Sequence, residues 1–306
     1  MSYDSFMGRY SHMLAEQFAG AAGVAPGDTA LDVGCGPGAL TGVLVSRLGT
    51  DAVYACDPSP SLRDECAARH PGVDVKLGRA ESIPFEDDAV DHAMAQLVLH
   101  FVSEPQQAAG DMARVVRPGG SVSACVWDFD DGMEMLRGFW DAALSVDPDA
   151  PDEARTLRFG RPGEIAELFA SVGVEEIVES TLSVALNYSS FDDLWSGFLA
   201  GVGPAGSYCV SLTAEDRDRL RTALFARFGS PPGPFTLGAI ARCAVGRAPA
   251  LTTRSGTFQD AAEYGTTGMT ANARRARLWR PVRLGRPATP TTHTERRRRR
   301  ARYRRG

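Results

Sequence analysis

Lysine is almost missing from this chain of 306 residues. Lys76 is the only one, and arginine supplies the rest of the basic residues. That bias is the imprint of a GC-rich genome and carries no functional meaning by itself. It does leave no Tyr-x-x-x-Lys pair, and the loop after the first expected strand is spaced G-x-G-x-G rather than G-x-G-x-x-G, so a nicotinamide-dependent oxidoreductase is disfavoured. No run of eighteen apolar residues occurs, which excludes a membrane-spanning helix on sequence grounds. The segment Met1-Ser2-Tyr3-Asp4-Ser5-Phe6 has no basic patch followed by an apolar stretch, so no leader peptide is expected. The 6 cysteines, at positions 35, 56, 66, 125, 209 and 243, form no C-x-x-C pair. Neither a disulfide framework nor a structural zinc site is expected, and reduced thiols point to a cytoplasmic protein. The 5 histidines have no ligand-like spacing, so no metal is expected.

Charge is unevenly spread. After residue 248, fifteen arginines face only Asp260, Glu263 and Glu295, a net of +12, which leaves −17 on the preceding residues. The 248–306 segment is rich in Thr, Arg, Gly, Ala and Pro and has no amphipathic period. Such a composition cannot offset the entropy of ordering, so it is expected to be a disordered tail.

Short apolar runs alternate with helical patterns. Residues 5–22 read as a helix, with Tyr10, Leu14 and Phe18 at helical spacing. Strands are expected at 29–33, 52–56, 73–77, 90–95 and 121–126, with helices at 39–48, from Ser59 onward, and at 105–116. Ser59 is the expected N-cap of its helix, with Pro60 at the first helical position. Arg117-Pro118-Gly119-Gly120 reads as a breaker between the last helix and strand. Further helices are expected at 132–144, 162–172, 191–200 and 213–228, and strands at 174–186 and 235–245. This order predicts an α/β fold: a Rossmann-like, seven-stranded, mostly parallel sheet, with helices on both faces and an antiparallel last strand. Residues 1–27 form an N-terminal helical segment, 28–247 the main domain, and about 187–231 a helical cap insertion hinged at 201–206.

The sharpest motif is Asp32-Val33-Gly34-Cys35-Gly36-Pro37-Gly38, between the first strand and its helix. Glycines there let a ligand approach the backbone with no Cβ in the way. An acid at the strand end suits a ligand with a positive group. A second acid, Asp57, ends the second strand, where a carboxylate can accept from ribose hydroxyls.

These residues resemble motif I of class I S-adenosylmethionine-dependent methyltransferases. Asp57-Pro58-Ser59, Gly78-Arg79-Ala80-Glu81-Ser82-Ile83-Pro84-Phe85, Val90-Asp91 with Gln96-Leu97-Val98-Leu99-His100-Phe101, and Arg114-Val115-Val116-Arg117-Pro118-Gly119-Gly120 continue the resemblance in order. It is to the type 11 branch, which includes ubiquinone and menaquinone biosynthesis methyltransferases. It is strong over 28–127 and loose over 1–247. The resemblance implies S-adenosylmethionine as cofactor and S-adenosylhomocysteine as product. It implies that Asp32 and Gly34, Cys35, Gly36 and Gly38 hold the methionine part, and that Asp57 holds the ribose. Pro58, Ala80 and Glu81 then lie at the adenine, with Gln96 and Leu97 near the sulfonium. Arg79 departs from the pattern, standing where the family often has an acid.

Such transfer needs alignment and water exclusion, and a general base only for a protonated acceptor. His100 is the candidate base, and equally a residue that packs or caps the next helix. Tyr10, His12, Trp127 and Trp195 are candidates to line the substrate, each with a packing role as the alternative. An apolar cap points to a small-molecule acceptor, with O, N or C left open. Two other readings stand beside it: a nucleic-acid-associated methyltransferase using the arginine tail, and a non-catalytic S-adenosylmethionine-binding protein.

Overall fold

The computed structural model describes residues 7–249. The expected disorder of 250–306 and the first six residues of the N-terminal segment lie outside the described residues. No described helix is long and apolar enough to cross a membrane.

The first helix, α1 (Gly8–Ala21), buries Tyr10, Leu14 and Phe18 on one stripe. Their four-residue spacing places them one above another along one face. Then β1 (Ala30–Val33), α2 (Ala39–Leu48), β2 (Val53–Asp57), α3 (Pro60–Arg69) and β3 (Asp74–Leu77) follow in tight succession. All four residues of β1 are buried, as befits a strand covered on both faces. Ser59 caps α3, its hydroxyl accepting from the Leu62 amide, with Pro60 opening the helix. After β4 (Val90–Gln96) come α4 (Pro105–Val115) and β5 (Val116–Trp127).

The sheet has seven strands in the order β3-β2-β1-β4-β5-β7-β6, where β6 is Glu175–Tyr188 and β7 is Phe235–Arg247. Strands β1 to β5 pair in parallel, and β7 runs antiparallel to both β5 and β6. The expected fold class is the observed one. Because β2 and β3 lie on one side of β1 and β4 on the other, the order in which strands join the sheet reverses between β1 and β4. A crevice opens at the carboxyl ends of those two strands, where open α/β sheets bind ligands.

Two local expectations need correction. The run 117–120 does not separate helix from strand but lies within β5. Between the pairs Val90↔Val116 and His92↔Ser121, these four residues bulge opposite Asp91 alone. The Gly119 amide donates to the Ala248 carbonyl, and the Ala248 amide to that of Gly120, so the bulge stays paired. The supposed hinge at 201–206 is largely the start of a helix, α8 (Gly203–Ser211). Pro204 suits a first turn, where its missing amide is no loss. Gly206 is there for contact: a Cβ on it would lie 2.8 Å from the Gly201 carbonyl carbon.

Between β5 and β6 lie α5 (Glu134–Val146) and α6 (Glu164–Ser171). The cap is α7 (Phe191–Leu199), α8 and α9 (Ala214–Arg227). Its core is shared with α5, where Phe139 stacks on Phe198 with ring centres 4.3 Å apart.

Candidate functional site

The β1 strand ends in a loop with Gly34, Gly36 and Gly38 all at positive φ. The amides of Gly34 and Cys35 both donate to the Cys56 carbonyl, at 2.8 and 3.0 Å, which ties the loop to the end of β2. The next anchor is Asp57. One carboxylate oxygen accepts from the Gly36 amide at 2.9 Å and the other from the Ser59 amide at 2.8 Å. One side chain therefore pins the β1 loop and the start of α3 together. Pro58 is the link between Asp57 and the Ser59 cap, and is exposed.

Asp32 is buried below the loop and accepts from the Thr41 hydroxyl at 2.7 Å. Burial pushes its carboxyl up to about 7, against the lowering effect of that hydrogen bond. A cation brought beside it would restore its charge. Cys35 is buried in the same region, and the Cys66 thiol donates to Thr41 at 3.6 Å.

The glycines differ in what they permit. A Cβ on Gly34 would lie 2.6 Å from Val98, and one on Gly38 2.6 Å from His70 Nε2. Among the described residues nothing comes within 4 Å of a Cβ on Gly36. Gly34 and Gly38 serve close packing, while Gly36 presents bare backbone to open space. His70 donates from Nε2 to the Gly38 carbonyl at 3.0 Å and so props the loop. Sequence reasoning gave His70 no part. Its turn carries no motif, and only the fold brings it across 32 residues to the loop.

Arg114 is the second residue whose task was not legible. Its guanidinium reaches Asp111, Asp87 and the carbonyls of Ile83 and Phe85, at 2.6 to 3.2 Å. This clamp holds the segment after β3. Within it Ala80 is buried, and the Glu81 carboxylate accepts from the Ser103 hydroxyl at 3.1 Å. Gln107 donates to the Glu81 carbonyl at 2.9 Å, and Arg79 lies 3.4 Å from the Glu81 carboxylate.

At the end of β4, the Gln96 amide group donates to the Ser11 carbonyl of α1 at 3.0 Å, while its own Oε1 is buried without a partner among the described residues. Leu97 turns left-handed at φ 60°, after its amide makes a last bond to the Cys125 carbonyl. The turn carries the chain off the sheet. Val98 then covers Gly34, while Leu97 and His100 line a separate apolar cavity.

That cavity has a volume of about 230 Å³. Trp127 and Phe129 bound it at the end of β5, Leu136 from α5, and residues 202–205 from the cap, with Glu153 at its wall. Burial lowers the His100 imidazole to about 3, so it is neutral, and its Nδ1 has no partner among the described residues. Trp127 Nε1 is likewise buried and unpartnered. Glu153 accepts from Trp140 Nε1 at 3.0 Å, and burial raises its carboxyl.

Of the residues expected to line the substrate, the structure brings Trp127 to this cavity together with His100. Tyr10 stands behind that wall. It is fully buried, meets Trp127 edge-on at 6.1 Å, and receives a hydrogen bond from Tyr188 at 3.2 Å. Neither His12 nor Trp195 lines this cavity. His12 lies on the exposed face of α1, because the buried stripe runs through Tyr10, Leu14 and Phe18. Trp195 is spent in the cap core, stacked on Phe191 with ring centres 6.4 Å apart.

Residues 31–124 match the family model of a methyltransferase domain. Over those residues the chain is similar to a methyltransferase domain. An uncharacterised methyltransferase of Mycobacterium tuberculosis is 43% identical over 101 residues, covering 33% of this chain and 40% of that one. An uncharacterised protein in transposon TN4556 of Streptomyces fradiae is 37% identical over 109 residues, covering 34% of this chain and 32% of that one. The chain thus spans well under half the length of these two relatives. The fold is also that of a structure from Anaeromyxobacter dehalogenans assigned as a type II methyltransferase. The two share a TM-score of 0.55 at 20% identity, over 78% of this chain and 97% of that one.

Proposed function

We propose that this protein transfers a methyl group from S-adenosylmethionine to a small-molecule acceptor by in-line displacement. The observation that carries the reading is the short segment after β4. Its Val98 packs on the glycine loop, and its Leu97 and His100 line the apolar cavity. One stretch of chain thus separates a cofactor-like cradle from an acceptor-sized space.

The residues present fit the cofactor. Bare backbone at Gly36 leaves room above the loop, and the buried Oε1 of Gln96 lacks a partner. Asp32 supplies a buried carboxylate for an ammonium. Gly34, Cys35, Gly36 and Gly38 form the cradle around the methionine part. Each oxygen of Asp57 keeps a free lone pair beyond its amide partner, and these two suit the ribose hydroxyls. Pro58, Ala80 and Glu81 flank the adenine, on the segment that Arg114 clamps. Gln96 and Leu97 border the sulfonium. When bound, the cofactor supplies an activated methyl whose sulfur keeps the bonding pair.

What remains for the protein is to hold the acceptor in line and keep water out. Alignment of this kind is worth on the order of 7–11 kcal/mol of barrier. The apolar wall around Trp127 and Leu136 does both. His100, neutral and at the cavity wall, is the group to take an acceptor proton. Calorimetric titration of the full chain with S-adenosylhomocysteine, and separately with NAD, tests the reading. Micromolar binding of the first alone is expected. Absence of that binding refutes the cofactor assignment.

A further inference from the structure

The acidic side chains buried among the described residues are Asp32, Asp57, Asp128, Asp152 and Glu153. A buried carboxylate is costly unless a cation or several donors compensate it. Asp128 pairs with Arg242 at 2.6 Å, and Asp152 with Arg137 at 3.0 Å. Asp32, Asp57 and Glu153 have no basic partner among the described residues; their hydrogen bonds come from a hydroxyl, two amides and an indole. Asp32 and Asp57 sit in the cradle, where the cofactor supplies an ammonium and hydroxyls. Glu153 lines the apolar cavity instead.

Packing alone does not account for Glu153. Its Oε2 accepts from Trp140 Nε1 at 3.0 Å, a task that a neutral amide would perform without burying a charge. Oε1 has no hydrogen-bond partner among the described residues, yet it is not sealed in the protein as Trp127 Nε1 is, and it keeps accessible surface. Because the residue is only 5% exposed and lines the cavity, that surface opens on the cavity. No described Arg or Lys lines the space, and His100 there is neutral, so Glu153 is the one charge-bearing group of this wall. Burial is the main cause that raises its carboxyl, and a counter-charge would relieve it.

We infer that the acceptor is a largely apolar molecule, the size of one or two rings, that carries a protonated amine and is recognised by Glu153 Oε1 through it. This deepens the proposed methyl transfer and rests on it. The volume of about 230 Å³ lies below the roughly 300–1,000 Å³ of drug-sized sites, which limits the apolar part to that size. A hydroxyl on the acceptor would fill the lone pair of Oε1 and leave the buried charge uncompensated, whereas an ammonium does both. A carboxylate or phosphate would lose its hydration, find no counter-charge and meet Glu153. The net −17 on the residues before the arginine-rich segment acts in the same sense, drawing cations and repelling anions.

The test uses the full chain saturated with S-adenosylhomocysteine, whose own binding is measured first. Calorimetry then compares 2-naphthylmethylammonium, 2-naphthylmethanol and 2-naphthoate, which share a ring system and differ in charge. The ammonium is expected to bind about tenfold tighter than the alcohol, from one charged hydrogen bond, and the carboxylate weakest of the three. Glu153→Gln keeps an acceptor for Trp140 and removes the charge. In that variant the ammonium is expected to fall to the level of the alcohol, with alcohol binding retained. A carboxyl that served only to hold Trp140 would leave the ranking as it was. An alcohol or carboxylate that binds the parent as tightly as the ammonium overturns the inference. So does a preference that survives in Glu153→Gln, or no binding of any of the three. The ranking in the parent decides the matter even where the variant does not fold. Failure of S-adenosylhomocysteine to bind would instead strike the methyl-transfer reading itself.

Discussion

Replacing Asp57 by alanine should loosen the cofactor cradle at its main anchor. The carboxylate accepts two backbone amides, from Gly36 and Ser59, at 2.9 and 2.8 Å. Hydrogen bonds to a charged group contribute about 1.5–3 kcal/mol each. Both amides lie at the loop surface, where water can repair part of the loss. The net cost should be about 2–4 kcal/mol. For a domain of this size each kcal/mol lowers the midpoint of thermal unfolding by about 2–4 °C. A fall on the order of 5–15 °C is therefore expected, read by circular dichroism. Asp57→Asn keeps one acceptor oxygen and should lose about half as much. S-adenosylhomocysteine should raise the midpoint of the parent protein and do so far less for the alanine variant. A variant that unfolds with its parent, or that the ligand protects equally well, would refute both the anchoring role and the ribose assignment.

Three further outcomes are expected. Asp32, held at about 7 by burial, is half protonated at neutral pH. If the cofactor's ammonium sits beside it, binding should release roughly half a proton at pH 7, about 0.9 at pH 6 and about 0.1 at pH 8. Calorimetry in buffers of different ionisation enthalpy reads this directly, and a flat profile removes the ammonium role. For His100, burial lowers the folded imidazole to about 3, against roughly 6.5 when unfolded. Above pH 6.5 neither state binds the proton. As pH falls toward 3, the unfolded chain takes a proton the folded chain refuses, so stability is lost. The His100→Phe variant escapes this cost and should gain about 2 kcal/mol on its parent between pH 6.5 and 4.5 in urea unfolding. A gap that does not change with pH would contradict it. Gly38→Ala meets His70 at 2.6 Å and a φ of 96°, so a loss of about 1–3 kcal/mol is expected. Adding His70→Ala should recover only the contact part, and a double-mutant cycle with no coupling would show that His70 does not prop the loop.

Much of the site is legible in sequence because its residues are neighbours along the chain. The loop from Asp32 to Gly38 and the acid at Asp57 sit at strand ends, and a strand end in an alternating β/α pattern has a known position. Ser59 and Pro60 announce the start of α3 by side-chain chemistry alone. Two misreadings have one cause. In sequence, the Pro and Gly of 117–120 read as breakers and those of 201–206 as a hinge. Proline is at home in a first helical turn, and glycine in a bulge or a close contact, and only the packing tells these uses apart.

The sequence by itself determined the fold class and the positions of the glycine loop and its two acids. Those follow from periodicity and local turn chemistry, which act over a few residues. Only the tertiary structure decided what surrounds them. It brought His70 to Gly38, Arg114 to the segment after β3, and Trp127 to His100 across the cavity. It also buried Tyr10 and Trp195 and left His12 exposed. Such outcomes depend on which helix face meets which strand end, and that is a property of the whole packed core rather than of any stretch of chain.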